Sequence, residues 1–311
     1  MKANMPRKPT QRSSASQKTA QNSRQMKPLF VHCHIFYPEL WPALKDCLLN
    51  IRPYPFDLFV TMVTEHAAVR ADILACFPKA RVSIVENRGY DVGPFIWALK
   101  QIRLDDYSLV VKVHTKRDMP VGSLLGTMNV GGSRWRRYAL SFLQTPQTVA
   151  RCIKAFADDD RLGMVADARL ILAKDTAPQS TKVARDLLQS VGLTPQRMDF
   201  VAGTMFMARA KMLAPLTKLK LSVADTPDGY HQQMGAAHAM ERFLGGLVWA
   251  QGYRIADVFS RHPRVGPAWD IARKISLFLF KQKVDKHGRY SIRICRLPVF
   301  VRRPRPTSRN P

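Results

Sequence analysis

The segment at residues 87–94 combines residue types that can hold an anionic ligand. Its two glycines, with an Asn and an Asp, can supply positive φ angles and let a ligand approach the backbone closely. Pro94 suits the first turn of a helix, where backbone N–H groups favour anions. An ordinary tight connection between a strand and a helix is the alternative. The candidate binding residues are Asn87, Arg88, Gly89, Tyr90 and Asp91.

A second, basic segment follows a predicted strand at residues 107–114. His114, Lys116 and Arg117 place three cationic or potentially cationic groups at the end of that strand. Because Lys binds phosphate as a point charge and Arg binds it as a fork, this cluster beside the first segment predicts a diphosphate site. A solvated basic turn is the alternative. Lys112, inside the strand, requires either a partner or an exposed face.

Two weaker signals lie further along the chain. Glu241, followed by Arg242, occupies an apolar helical segment, where a raised pKa would suit a general base. Gly203 and Thr204 interrupt a predicted strand. Such an interruption indicates either a bulge in the core or close approach of a sugar or phosphate to the backbone.

His32 and His34 lie on one face of the first predicted strand. Two His at this spacing could bind a metal, but the sequence shows no Asp, Glu or Cys partner for them. We therefore expect hydrogen-bonding or packing roles. His34, near the end of the strand, is kept as a candidate ligand-binding residue.

Alternating strands and helices are predicted to position these residues. Strands are expected at residues 29–37, 56–63, 82–85 and 107–114, with helices at 38–50 and 65–77. This alternation is typical of a mostly parallel sheet flanked by helices and joined by right-handed crossovers. In such α/β folds, ligands bind at the carboxyl ends of the strands. The polar segments are therefore expected to meet at one edge of the sheet.

The chain beyond residue 114 is predicted to continue the α/β pattern. A glycine-rich loop at residues 115–137 comes first, and loops of this length are often functional or mobile. Helices are expected at about 136–144, 147–158 and 236–251, strands at 162–166, 200–208 and 253–258, and a polar, helical excursion at 170–196.

Positive charge is concentrated at the two ends of the chain. The net charge is +26; residues 1–28 hold seven Lys or Arg and no acid, and residues 272–311 hold twelve against one Asp. Such tails contact polyanions, either nucleic acid or an anionic lipid surface. We divide the chain into a disordered basic tail at 1–28, an α/β domain at 29–260 and a basic extension at 261–311.

The extension opens with an amphipathic stretch. Between residues 269 and 280, apolar side chains mix with Lys and Arg, which is typical of a helix lying in a membrane interface. A helix docked on the domain is the alternative. No stretch approaches 18 consecutive apolar residues, so no transmembrane helix is expected. Five scattered cysteines without CxxC spacing fit a reducing cytoplasm better than a zinc site or a disulfide framework.

Several common enzyme classes are disfavoured by missing motifs. The sequence contains no Walker A motif, GxGxxG, HExxH or GxSxG. Their absence argues against the commonest nucleotidases, dehydrogenases, zinc proteases and serine hydrolases.

Five blocks of sequence together resemble the rhamnan synthesis protein F family. They start at His32, Asn87, Lys112, Ala202 and His238 and read HCHIFYPEL, NRGYDVGPF, KVHTK, AGTMFMAR and HAMER. The blocks appear in family order across residues 29–260, while the tails lie outside the resemblance. The family is associated with bacterial cell-surface polysaccharides that contain rhamnose, including O-antigens. The resemblance implies a GT-A-like glycosyltransferase that uses a nucleotide-sugar donor.

The resemblance also implies roles for the candidate residues. Glu241 takes the place of the carboxylate base on a late helix, in an inverting reaction. Gly203, Thr204 and Arg242 would line the acceptor or sugar pocket. The expected donor is dTDP-rhamnose, the acceptor a lipid-linked saccharide, and the location the cytoplasmic face of the plasma membrane, as a peripheral protein. The donor-binding residues would be His34, Asn87, Arg88, Gly89, Tyr90, Asp91, Lys112, His114, Lys116 and Arg117.

The end of the fourth strand departs from the GT-A class. That class usually has an Asp-x-Asp there, which holds a divalent metal on the diphosphate, whereas this sequence has His114, Thr115 and Lys116. We therefore assign no metal ligand. Our hypothesis is that Lys116, with Arg117 or His114, supplies the positive charge. Dependence on Mg²⁺ or Mn²⁺ stays open.

Two other functions stay open at this stage. The charge alone fits a basic nucleic-acid-binding protein, but the core has no recognisable binding module, so no specific nucleic acid is expected. The second is a non-catalytic scaffold that keeps the fold and organises a polysaccharide assembly complex.

Overall fold

A seven-stranded, mostly parallel β-sheet forms the core of the computed structural model, which describes residues 27–117, 133–172, 178–219, 230–257, 280–284, 290–295 and 297–302. The strands are β1 Leu29–Ile35, β2 Phe56–Met62, β3 Arg81–Ile84, β4 Leu109–His114, β5 Leu162–Val165, β6 Ile171–Leu172, β7 Phe200–Val201, β8 Phe206–Arg209, β9 Arg254–Ala256, β10 Phe280–Val284, β11 Tyr290–Ile294 and β12 Leu297–Arg302. The helices are α1 Trp41–Leu49, α2 Ala67–Cys76, α3 Val92–Leu99, α4 Ser133–Ala139, α5 Pro146–Asp158, α6 Pro178–Ser190, α7 Ala214–Lys218 and α8 Tyr230–Ala250.

Helices cover both faces of this sheet. Every residue of β1 and β4 is buried, which is the pattern of a parallel sheet with helices on each side. Trp41 of α1 and Phe156 of α5 belong to the apolar cluster on one face. Phe95 of α3 and Phe243 of α8 belong to the cluster on the other face. The predicted α/β class, a mostly parallel sheet flanked by helices, is therefore confirmed.

Strand β8 is the exception to the parallel arrangement. The sheet order is β3-β2-β1-β4-β8-β5-β9, and β8 pairs antiparallel with both β4 and β5. The predicted strand at 200–208 is divided: β7 ends at Val201, and β8 starts at Phe206 after a turn that contains Gly203. Hydrophobic periodicity reveals a strand but not its direction, so the reversal was not predicted.

Other boundaries differ modestly from the predictions. The helix expected at 136–144 is α4, which ends at Ala139 and is followed by a 3₁₀ turn at Ser141–Leu143. The excursion expected at 170–196 contains α6, and also β6, which pairs antiparallel with β7.

Some predictions fall outside the described residues. These are most of the basic tail, at residues 1–26, most of the glycine-rich loop, at 118–132, and the amphipathic stretch up to residue 279. Strands β10, β11 and β12 form an antiparallel sheet in the C-terminal extension, which was not predicted. Within the described ranges, no helix has the length and apolar character needed to cross a membrane.

Strand register brings the polar segments to one edge of the sheet. Between β1 and β4, His32 pairs with Lys112 and His34 pairs with His114. Between β4 and β8, Lys112 pairs with Phe206, so the turn before β8 lies at the same edge. Asp91, immediately before α3, follows the carboxyl end of β3.

Candidate active site

Lys112 lies at the centre of this edge and is fully buried. Its ammonium contacts Asp91 Oδ2 and donates hydrogen bonds to Thr204 O at 3.0 Å and Thr204 Oγ1 at 2.8 Å. An ammonium has three N–H donors, and these contacts use all three. The partner that a buried strand lysine requires is therefore Asp91, with Thr204. No donor of Lys112 remains for a ligand in this arrangement.

Asp91 is ionised in this environment. Burial by itself would raise the pKa of Asp91, but the charge of Lys112 and hydrogen bonds from Lys112 and Thr204 hold that pKa well below its usual range. Burial lowers the pKa of Lys112, and the adjacent Asp91 opposes this change. The two groups form a buried ion pair in which each charge depends on the other.

Three histidines surround the ion pair in neutral form. His32 Nε2 and His34 Nδ1 each lie 3.0 Å from Thr61 Oγ1. One hydroxyl carries one hydrogen, so Thr61 donates to at most one ring, and at least one ring donates its N–H to Thr61. Burial lowers the pKa of His34 to about 4 and holds the pKa of His32 and of His114 well below the usual value. The hydrogen-bonding role expected for His32 and His34 is what the geometry provides.

His114 ends β4 beside Asp91. Its Nδ1 lies 3.5 Å from Asp91 Oδ2, which is too long for a well-formed hydrogen bond. The residue is buried, with only 5% of its surface exposed. Nevertheless, neither ring nitrogen of His114 has a hydrogen-bond partner within the described part of the chain.

Glu241 approaches the same edge from α8. Its Oε1 accepts a hydrogen bond from the backbone N–H of Gly203 at 2.8 Å, and the residue is half-buried. Burial raises the pKa of Glu241; the Gly203 hydrogen bond and Lys116 oppose that rise, and Asp91 adds to it. A partly accessible carboxylate with a raised pKa is suited to proton transfer near neutral pH.

Lys116 lies near Glu241 over an aromatic ring. Its ammonium is 4.9 Å from the centroid of Trp135, a cation–π contact. Trp135 of α4 also packs against Gly203, where an added Cβ would come within 2.5 Å of the ring. Lys116 is half-buried, so unlike Lys112 it is accessible to a ligand.

The first polar segment brings the Asp91 carboxylate to this edge, and the residues before Asp91 adopt unusual backbone conformations. Gly89 and Tyr90 have φ angles of 69° and 51°, the left-handed conformation predicted for this loop. Gly93 packs on the Arg88 carbonyl oxygen, which an added Cβ would approach to 2.2 Å. Arg88 pairs with Glu86 at 2.6 Å.

The remaining candidates lie around the periphery. Asn87 is exposed. Arg117 is exposed, pairs with Glu39 at 3.0 Å and stacks on Tyr37. Arg242 is buried: its Nε donates to Thr181 Oγ1 on α6 at 3.1 Å, and its guanidinium lies 4.4 Å from the ring centroid of Phe200. The site therefore groups Asp91, Lys112, His114, Lys116, Gly203, Thr204 and Glu241 closely, with Asn87, Arg117 and Arg242 further out.

The donor set after β4 does not fit a divalent metal. Thr115 Oγ1 accepts the backbone N–H groups of Phe36 and Tyr37, each at 2.9 Å, and Lys116 is a cation. The carboxylate of Asp91 is engaged by Lys112 and Thr204. Among the described residues, no group of three His, Cys, Asp or Glu side chains could hold a metal ion. We therefore derive no step through a metal.

Sequence reasoning missed Trp135, Thr61 and His238. Trp135 lies among arginines at the end of the glycine-rich loop, which was the one signal available. Thr61 has no distinguishing pattern in sequence. His238 lies one helical turn before Glu241 on α8, half-buried, and burial together with Arg242 and Lys116 lowers its pKa.

The fold and this polar edge define an α/β domain with a candidate active site at the carboxyl ends of its strands. The sequence profile of the rhamnan synthesis protein F family matches residues 5–253. The chain belongs to that family.

Curated relatives match across most of the chain. The protein WxcX, described as uncharacterized, from two strains of Xanthomonas campestris pv. campestris, is 28% identical over 230 residues. The match covers 72% of this chain and 32% of WxcX, so the chain spans about a third of the length of that relative.

The similarity to solved structures is more distant. Glucosyl-3-phosphoglycerate synthase from Mycobacterium tuberculosis, in complex with Mn²⁺, UDP and glucosyl-3-phosphoglycerate, is 13% identical, with 95% of this chain and 97% of that chain covered and a TM-score of 0.37. S. aureus TarS 1-349 is 15% identical, with 70% and 56% covered and a TM-score of 0.35. Likenesses this distant transfer neither a ligand nor a residue role.

Proposed function

We propose that this protein is a glycosyltransferase that moves rhamnose, or a similar deoxysugar, from a nucleotide-sugar donor to a growing lipid-linked polysaccharide. Membership of the rhamnan synthesis protein F family supports the substrate class. The observation that carries the chemistry is the half-buried Glu241 carboxylate, held by the Gly203 N–H close to the accessible Lys116. The inverting reaction needs a base for the acceptor hydroxyl and positive charge for the departing diphosphate, and this sheet edge offers both.

Glu241 acts as the general base. Its carboxylate takes the proton of the acceptor hydroxyl as that oxygen attacks the anomeric carbon. The bond from that carbon to the diphosphate breaks at the same time, and the nucleoside diphosphate leaves with the electron pair. Attack from the side opposite the leaving group inverts the configuration, so a β-linked donor gives an α-glycoside. The raised pKa of Glu241 makes its carboxylate more basic than an exposed one.

Lys116 stabilises the departing diphosphate. Its ammonium follows β4 at the position where the GT-A class usually has metal-binding carboxylates. A fixed cation at a site partly shielded from water stabilises developing negative charge more strongly than it would in bulk solvent. The Trp135 ring beneath the ammonium limits its motion, so the charge is oriented before the reaction. Arg117 and His114 flank this position.

The loop before α3 contributes the remaining donor contacts. Asn87, Arg88 and Tyr90 lie at the carboxyl end of β3, and the N-terminus of α3 favours a phosphate there. We assign dTDP-rhamnose as the donor. Gly203 and Thr204 line the sugar pocket, with Arg242 behind it.

The basic tails hold the enzyme at the inner face of the plasma membrane. Each Lys or Arg near an anionic leaflet contributes roughly 1 kcal/mol of attraction. Residues 1–28 carry seven such charges and residues 272–311 carry twelve. A peripheral position there gives access to lipid-linked acceptors.

A transfer assay tests the proposal. The full chain is incubated with radiolabelled dTDP-rhamnose and a bacterial membrane fraction rich in rhamnan precursors, and the organic phase is counted. Label in the lipid fraction that depends on Glu241 supports the proposal. No transfer of any deoxysugar, with tight salt-sensitive binding to RNA or DNA, would refute it in favour of the charge-based alternative.

A further inference from the structure

The turn between β7 and β8 is held in an unfavourable backbone conformation. Gly203 and Thr204 have φ angles of 81° and 53°. Glycine tolerates positive φ, but a β-branched residue such as Thr rarely adopts it. Residues held in this region persist only when their surroundings fix them, and they cluster at functional sites.

Lys112 and Asp91 supply the contacts that fix Thr204. The Lys112 ammonium donates to both the carbonyl and the hydroxyl oxygen of Thr204, at 3.0 and 2.8 Å. The Thr204 hydroxyl in turn donates to Asp91 Oδ2. Lys112 of β4, Asp91 before α3 and Thr204 of the turn therefore form a closed ring of hydrogen bonds. Lys112 and Thr204 are buried, and Asp91 is half-buried.

The fixed turn determines where the Gly203 N–H points. That N–H donates to Glu241 Oε1 at 2.8 Å. On its other side Gly203 packs against Trp135 so closely that no Cβ would fit. The Trp135 ring blocks movement of the turn on that side, and movement away from Lys112 would break the hydrogen bonds to Thr204.

We propose that the buried Lys112–Asp91 pair is a positioning device that acts through Thr204 and presents the Gly203 N–H to the Glu241 carboxylate. This inference rests on the proposed function, since Glu241 is the base there. It replaces direct donor contact as the role of Lys112. The pair does not touch the reacting atoms; it sets the geometry and the proton affinity of the residue that does.

Electrostatics predicts how the pKa of Glu241 changes when the turn is disturbed. A hydrogen bond donated to a carboxylate favours its ionised form, so loss of the Gly203 contact raises the pKa of Glu241 further. The other charged groups that face Glu241 are Lys116 after β4, Arg242 on α8, and Asp91 and Lys112 at the sheet edge. A variant at Thr204 leaves all of these charges in place, so it isolates the contribution of the turn.

Thr204→Val and Thr204→Ser form the matched test. Valine keeps the shape of Thr but removes the hydroxyl that joins Lys112 to Asp91, whereas serine keeps the hydroxyl. The Gly203 amide shift, followed by NMR across a pH series, reports ionisation of Glu241 without any need for turnover. We expect the midpoint in Thr204→Ser to match that of the unaltered protein. In Thr204→Val we expect the pH midpoint of the Gly203 amide shift to rise. If the Gly203–Glu241 hydrogen bond breaks completely, this amide should no longer titrate with Glu241.

Lys112→Met extends the test to the pair itself. The pH midpoint of the Gly203 amide titration is expected to rise in Lys112→Met as it does in Thr204→Val. If Lys112→Met does not fold, the Thr204 pair decides the question alone. Folded Thr204→Val protein with an unchanged Gly203 titration would overturn the inference. Because the measurement needs no donor, an expected shift in a protein that transfers no sugar would uphold the positioning role and refute the transferase proposal.

Discussion

The carboxylate of Glu241 accepts a hydrogen bond from the backbone N–H of Gly203 at 2.8 Å, which joins the long helix α8 to the turn before β8. The two residues are 38 positions apart in sequence. Their contact places a half-buried carboxylate at the sheet edge where the ends of β1 and β4 also lie. The chemistry that we propose depends on this pair.

Replacing Glu241 by Gln should abolish most of the turnover. Gln keeps an oxygen that can accept the Gly203 N–H, so the fold and donor binding should persist. Loss of a general base lowers turnover by about 10²- to 10⁴-fold. Transfer kinetics and donor calorimetry on the same preparation measure both effects. Glu65→Gln, an exposed carboxylate paired with Arg70, is the control and should be unchanged. Near-full turnover in Glu241→Gln would remove Glu241 from the role of base.

The same variant should be more stable than the unaltered protein at neutral pH. Burial raises the folded-state pKa of Glu241 above its unfolded value, so the folded state holds the proton more tightly. That contribution is fully present below the unfolded pKa and is lost as pH rises through the folded pKa. Chemical denaturation across a pH series should therefore show a larger free energy of unfolding for Glu241→Gln than for the unaltered protein at pH 7. The difference should disappear under acidic conditions. A difference that widens on acidification would contradict this sign.

Gly203→Ala should be much more costly than Gly192→Ala. Both glycines have left-handed φ angles, 81° and 77°, so each substitution carries a backbone cost of roughly 1–2 kcal/mol. At Gly192 a Cβ meets nothing within 4 Å, whereas at Gly203 it would lie 2.5 Å from Trp135. Overpacking should add about 1–3 kcal/mol at Gly203 alone. Urea denaturation measures the free energy of unfolding of both variants. An equal decrease in the two would contradict the packing of Gly203 against Trp135.

Lys116→Ala should weaken donor binding. Interactions between a charged group and a phosphate contribute roughly 1.5–3 kcal/mol, so the dissociation constant should rise about tenfold to a hundredfold. Lys154→Ala is the matched control, because Lys154 is an exposed lysine on α5 that pairs with Asp158 one turn away. Calorimetry with the cognate nucleotide sugar measures both. Equal affinities in the two variants would exclude Lys116 from the donor site.

Much of the fold was predictable because its central strands are rich in apolar residues. β1 and β4 are buried at every position, and their β-branched and aromatic residues stand out from the polar loops around them. The direction of β8 was not predictable, since alternation of side chains is the same in both directions. Strands β10–β12 begin where the amphipathic stretch at residues 269–280 ends and were not predicted.

Most residues that meet at this edge were candidates from the sequence, but their contacts with one another were not predictable. The need of Lys112 for a partner followed from its place in a strand. The identity of that partner depends on the loop before α3 and the turn before β8 meeting in space. Trp135 was missed for the same reason: its contacts with Lys116 and Gly203 arise only in the folded chain.

Calorimetric titration with nucleotide sugars, with and without EDTA, tests the central claim most directly. The panel is dTDP-rhamnose, UDP-glucose, GDP-mannose and GDP-fucose. We predict saturable binding of one donor, dTDP-rhamnose, that persists in EDTA because Lys116 supplies the charge. Binding abolished by EDTA and restored by Mg²⁺ or Mn²⁺ would contradict the role of Lys116. No binding of any donor, with or without metal, would contradict the glycosyltransferase assignment itself.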